Sequence, residues 1–110
     1  MAEHADCTCM VLDYVKWDFD EKPLGRDRNE ADVALRTCRH CGRVWLYYHY
    51  ESEAFSRSGR WYRGLVSAQA AASVGPDDAL KSLTKLDWYI CGGSYFGGVR
   101  RSSGAIIISP

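Results

Sequence analysis

The sequence predicts an α+β domain: a mostly antiparallel sheet with one main helix at about residues 76–90, in a single unit spanning 1–110. Three observations point there. Runs of aromatic and β-branched residues recur along the chain, and such residues favour strands. One stretch, beginning at Gly75-Pro76-Asp77-Asp78, carries apolar residues at helical spacing. Four cysteines form two close pairs, Cys7-x-Cys9 and Cys38-x-x-Cys41, which can staple distant parts of a chain whose 110 residues build only a thin core.

Residues 1–9 read as a lead-in ending in the first cysteine pair. Residues 10–17, Met-Val-Leu-Asp-Tyr-Val-Lys-Trp, read as a strand. Residues 18–32 are polar, hold Pro23 and Gly25 and lack a sustained period, so they are expected to form a surface loop. Residues 33–38 and 43–51 form a hairpin whose tip is Cys38-Arg39-His40-Cys41-Gly42; the second strand, Arg-Val-Trp-Leu-Tyr-Tyr-His-Tyr-Glu, is the strongest in the chain. Ser56–Gly59 is a turn, and residues 60–67 form a strand in which Gly64 is a candidate bulge. The Ala-rich stretch 68–74 is ambiguous. Pro76, Asp77 and Asp78 suit the first turn of a helix, where the ring fits and the macrodipole favours acids. Ala79, Leu80, Leu83 and Leu86 then share one face, and the helix is expected to end between Tyr89 and Gly92. Residues 92–98 are too glycine-rich for a regular element, Arg100–Gly104 reads as a turn, and 105–109 as a short terminal strand.

Composition narrows the class. With 46% hydrophobic and 25% charged residues, the chain is neither disordered nor collagen-like. No apolar run approaches the ~20 residues of a membrane span. Fourteen basic residues balance fourteen acidic ones, which argues against a strong non-specific nucleic-acid binder. The distribution is uneven: residues 1–35 hold nine acids and four bases (−5), 36–63 two acids and six bases (+4), all six of them Arg, and 64–110 three acids and four bases (+1). The ordinary reading of that asymmetry is a solvated basic face pairing with the acidic block. The N-terminus lacks a basic n-region and an apolar h-region, so a cytoplasmic location is expected, where clustered cysteines more often bind metal or do redox work than form disulfides.

The cysteine pairs carry the sharpest chemistry. Structural zinc takes four soft tetrahedral ligands, and two close pairs far apart in sequence deliver four thiolates to one ion. The expected ligands are therefore Cys7, Cys9, Cys38 and Cys41, holding a structural Zn2+ that closes a loop of about thirty residues. Gly42 permits a left-handed residue after the knuckle, which turns backbone N–H groups toward the sulfurs. A redox Cys-x-x-Cys pair and unliganded thiols are the alternatives; the former lacks its usual βαβ context. His4 and His40 are possible substitute ligands, His49 fits an ordinary histidine, and Cys91 fits a small buried hydrophobe. A site closed by four thiolates leaves no position for a reactive water.

Residues 36–51, with Cys38-x-x-Cys41-Gly42 capping a hairpin and Trp45 following, resemble one half of a zinc ribbon. Cys7-x-Cys9 departs from that pattern, having one residue between its cysteines and not two.

The remaining signal is aromatic. Trp45, Tyr47 and His49 share one strand face and Leu46, Tyr48 and Tyr50 the other, so one face must be covered or form a recognition surface. Arg57, Arg60, Trp61, Tyr62 and Arg63 repeat that composition, and Trp, Tyr and Arg dominate protein–protein hot spots. Gly92–Gly98 with Arg100, Arg101 and Ser102 reads either as a tight turn holding Tyr95 and Phe96 or as a binding loop. No catalytic nucleophile–base order or paired carboxylate stands out. The expectation is a non-enzymatic, cytoplasmic, bacterial-type zinc domain that binds a partner protein through Trp45, Tyr48, Tyr50, Arg57, Arg60, Trp61, Arg63, Tyr95, Arg100 and Arg101. In size and composition it is similar to immunity or antitoxin proteins that block a partner. The alternative is a nucleic-acid binder using Arg36, Arg39, Arg43, Arg57, Arg60 and Arg63 with Trp45 and Trp61, since the same mixture can stack bases.

Overall fold

A computed structural model describes residues 7–10, 18–52, 56–106 and 108. Its centre is a six-stranded antiparallel sheet: β1 (Phe19–Arg26), β2 (Asp32–Cys38), β3 (Val44–Tyr50), β4 (Arg60–Val66), β5 (Tyr89–Gly92) and β6 (Arg100–Ser102). The strands lie side by side in chain order, a meander of neighbours. Two short helices, α1 (Ala68–Ser73) and α2 (Ala79–Thr84), cross from β4 to β5. The α+β class read from the sequence is the class observed. No helix among the described residues is long and apolar enough to cross a membrane.

The β2–β3 hairpin forms as its alternation dictates, in the register Arg36↔Trp45 and Leu35↔Leu46. The polar stretch 18–32, expected as a loop, is mostly strand β1. It is an edge strand whose exposed side chains need no apolar alternation, and only Phe19 at its start is buried. Pro23 is tolerated because an edge residue can lack an N–H, and the register shifts between Pro23 and Gly25, so the sheet's bulge lies there and not at Gly64. The connection to β2 is a tight turn organised by Asp27. Its Oδ1 accepts from the backbone N–H groups of Asn29 (2.9 Å) and Ala31 (3.0 Å), and its Oδ2 accepts from Tyr48 Oη at 2.5 Å.

The helix is shorter than the sequence reading. A 3-10 turn at Pro76–Asp78 leads into α2, which ends at Thr84. Tyr89–Gly92, read as the helix end, is β5, buried at all four positions. A short apolar run buried on both sides has no strand period to read. Arg100–Ser102, read as a turn, is β6, and the described part of 105–109 is not strand. The strand expected at 10–17 falls mostly on residues outside those described; Met10 belongs to a 3-10 turn at Thr8–Met10.

Each face of the sheet buries a cluster. On one, Val33, Leu35, Leu46, Tyr48, Tyr62, Tyr89 and Cys91 meet Ala79 and Leu83 of α2. Gly64 opens a notch for that helix: a Cβ there would lie 2.3 Å from Leu86 Cδ1 and 2.9 Å from Leu83 Cδ2. On the other, Phe19, Cys38, Trp45 and Ile90 pack beneath Cys9, with Met10, Trp61, Leu65 and Trp88 around them.

Candidate metal centre

The two cysteine pairs meet at the end of the second face. The hairpin supplies one half. Cys38 closes the knuckle by donating its N–H to Arg43 O (2.8 Å) and accepting from Gly42 N (2.9 Å), while Gly42 takes φ +79°, a left-handed conformation that glycine adopts without steric cost. Cys9 and Cys7 arrive from the 3-10 turn, itself closed by Met10 N–H to Cys7 O at 2.9 Å. The buried Arg63 guanidinium holds this turn from below, donating to Cys9 O at 2.7 Å.

All four sulfurs lie within 4.8 Å of one another, with Cys7–Cys38 and Cys9–Cys41 separations of 3.6 Å. A tetrahedron of thiolates about a zinc at ~2.3 Å has edges of about 3.8 Å, so this cluster has the dimensions of a tetrathiolate metal site. Every cysteine is a free thiol. The sulfurs also have the donors that such a site needs. His40 N–H points to Cys38 Sγ at 3.4 Å and Arg43 Nη1 to Cys41 Sγ at 3.2 Å.

Electrostatics explain why a cation suits this place. Burial pushes the Cys9 thiol up to about 12, against a lowering contribution from the Trp45 side chain. Burial also raises Cys38, against the backbone N–H groups of His40 and Cys41. At Cys41 burial acts the same way but is outweighed by the Arg43 backbone N–H, the Cys7 and Cys9 thiols and the Arg43 side chain, which bring it down to about 6. The buried Cys9 and Cys38 thus resist ionising until a bound dication compensates the charge, whereas Cys41 ionises more readily than a free thiol.

The other candidate ligands do not join the cluster. His40 is exposed, with Nε2 3.5 Å from Asp18 Oδ1, and contributes its backbone only. His49 lies 4.0 Å from Glu51 on the open face. His4 lies outside the described residues. Cys91 is buried on the helix-covered face, as a small hydrophobe should be.

The ten residues read as a partner surface divide. Trp45, Tyr48, Arg60 and Arg63 are inside the molecule, at 0–1% exposure, and present no surface. The buried arginines sit over aromatic rings, the Arg63 guanidinium carbon 4.2 Å from the centre of the Trp45 ring and that of Arg60 4.0 Å from the centre of the Tyr95 ring. Tyr50 and Trp61 are half-buried, whereas Arg57, Tyr95, Arg100 and Arg101 are exposed. Sequence reasoning missed Arg63 and Arg43 as supports of the cysteine cluster, and Asp27 as the anchor of Tyr48. An Asp two residues before Asn29 was the available signal for the last, because such side chains cap their own turns.

Compared with protein-family models, curated proteins and solved structures, the chain matches none significantly.

Proposed function

We propose that Cys7, Cys9, Cys38 and Cys41 hold a structural Zn2+ in a non-enzymatic domain whose work is to bind another protein. The observation that carries the metal reading is the cluster itself: four sulfurs within 4.8 Å of one another, backed by N–H donors. Four protein ligands fill zinc's structural coordination, so the ion organises the chain and activates no water. The knuckle half is zinc-ribbon-like, whereas the Cys-x-Cys half rides on a 3-10 turn of its own.

The protein-partner reading is favoured over nucleic acid by the fate of the arginines. Of the six in the basic block, Arg60 and Arg63 are buried, Arg36 pairs with Glu21 at 2.7 Å, Arg39 with Asp20 at 2.9 Å, and Arg43 donates to Cys41. Of those six, only Arg57 stands exposed without such a contact among the described residues, so the basic block offers few cations to a phosphate backbone. What remains outward is aromatic. Tyr47, His49 and Trp61 stack side by side, Tyr47–His49 at 6.5 Å and Tyr47–Trp61 at 6.3 Å, with Arg36 over Tyr47 at 3.6 Å. Such a shelf suits a protein partner, including the target of an inhibitor of the immunity or antitoxin kind.

Metal analysis of reduced, unchelated protein should return one zinc per chain. A complex isolated from the native host should be stoichiometric, survive high salt and be lost on Trp61→Ala. Co-purifying nucleic acid, with affinity falling steeply as salt rises, would replace this reading with the alternative.

A further inference from the structure

Across β4, β5 and β6 one register row, on the helix-covered face, brings together a phenol, a thiol and a guanidinium: Tyr62 pairs with Cys91, and Cys91 with Arg100. Tyr89 and Ser102 form the next row. These side chains floor a half-open cavity of about 200 Å³ near the sheet edge, roofed by Phe96 of the turn after β5 and by Ile106. The turn is fixed in place. Gly93 takes φ +116°, where a Cβ would lie 2.4 Å from Gly59 O, and Tyr95 N–H donates to the same oxygen at 2.9 Å.

Two features show that the cavity is not simply a packing defect. Tyr62 lines the cavity, and its hydroxyl has no hydrogen-bond partner among the described residues, so a polar group entering there can meet it; Tyr89 beside it donates to Gly104 O at 2.9 Å. Arg100, at the mouth, has no carboxylate partner among the described residues, and its guanidinium lies 4.7 Å from the Phe96 ring. The site therefore joins one exposed cation at its mouth, one hydroxyl and an aromatic wall. A 150 Å³ apolar cavity is known to accept a benzene ring, so this one has room for such a ring with a small substituent. One guanidinium beside an apolar wall suits a carboxylate; a phosphate would want more donors.

We propose that the Tyr62–Cys91–Arg100 pocket binds a small monocyclic aromatic carboxylate, its ring against Phe96 and its carboxylate on Arg100 and the Tyr62 hydroxyl. This site lies on the opposite face of the sheet from the cysteine cluster and does not depend on how that cluster is read.

The test is an amide NMR titration of the full, metal-loaded chain with benzoate, with acetate and benzyl alcohol as the anion and the ring alone. Benzoate should shift Gly92, Gly97 and Ser102 saturably and bind better than either control. Arg100→Gln should weaken it about tenfold or more, and Tyr62→Phe about threefold to tenfold. Arg100→Lys, which keeps the charge and loses the fork, should fall between, and gives the answer if the Gln variant does not fold. The proposal is overturned if saturating benzoate moves none of these amides, if acetate or benzyl alcohol does as well, or if loss of the Arg100 charge leaves the affinity unchanged.

Discussion

The two faces of one sheet are closed by different means. The helix-covered face is sealed by ordinary apolar interlock: Ala79 and Leu83 are fully buried, and the Gly64 notch lets the backbone of β4 come close to α2. The opposite face carries no helix among the described residues. Its cover at the knuckle end is the three-residue turn Thr8–Met10, held down by Arg63 and by four sulfurs. Three residues bury too little apolar area to hold themselves in place, at ~25 cal/mol per Å² against ~1–2 kcal/mol of backbone entropy per residue. The difference teaches what a metal held by the four cysteines would do: fix a cover that hydrophobic burial alone cannot hold.

The strongest way to break that asymmetry is to remove the proposed ion. Metal binding in small structural sites is worth about 10–16 kcal/mol at neutral pH, comparable to or larger than the whole stability of a typical domain. Chelation under reducing conditions, or Cys38→Ser, should release the Thr8–Met10 turn, expose Trp45 and shift tryptophan emission to the red. Far-UV circular dichroism will show whether the helix-covered face survives. Unchanged emission and an unchanged melting temperature after complete metal removal would sink the idea that the ion closes this face.

Next comes Arg63. Arg63→Met keeps much of the volume but leaves the Cys9 carbonyl without its 2.7 Å donor. A loss of about 2–3 kcal/mol is expected in denaturant melts, together with weaker metal retention in a chelator competition. A variant that melts lower but holds its metal as tightly as the parent would show that Arg63 supports the sheet and not the cysteine turn.

The contrast between the faces also sorts what the sequence revealed. The knuckle hairpin was legible because its strands alternate and its tip has cysteine spacing that few structures other than a metal site require. The pairing of Cys7 and Cys9 with it was legible for the same reason. Strand β1 was not, because an edge strand with one buried residue leaves no apolar period, and Pro23 reads as a loop until the edge position excuses its missing N–H. Strand β5 was hidden for the opposite cause, being apolar throughout and continuous with a helical pattern. Arg60 and Arg63 passed for surface residues because their burial depends on rings contributed by distant segments, Tyr95 and Trp45, which no local pattern displays.

Two glycines allow a finer comparison. A Cβ at Gly64 meets the tips of Leu83 and Leu86, which can turn aside, whereas one at Gly92 lies 2.8 Å from Trp61 Cζ2 and 3.0 Å from Val99 Cγ2. Gly92→Ala should therefore cost about 2–3 kcal/mol and Gly64→Ala about 1–2 kcal/mol by equilibrium unfolding. The reverse order would mean that the helix seat is the more rigid of the two contacts.

The smallest expected effect belongs to the helix-covered face alone. Burial raises the hydroxyls of Tyr48, Tyr62 and Tyr89, Tyr62 up to about 12. An unfolded tyrosine ionises near pH 10, so between about 10 and 12 the unfolded chain sheds a proton that folded Tyr62 keeps. The unfolded state then binds fewer protons, and stability falls as pH rises through that window. Below pH 10 the contribution is fully present. Tyr62 alone should remove about 1 kcal/mol by about pH 11. The check is tyrosinate absorbance read beside tryptophan emission. These phenols should ionise late, and the melting temperature should decline from about pH 10 upward, with the metal still bound and the Trp45 side of the sheet intact until the helix face gives way. Phenols that all titrate near 10 with no loss of stability would mean that this face is wetter than its packing implies.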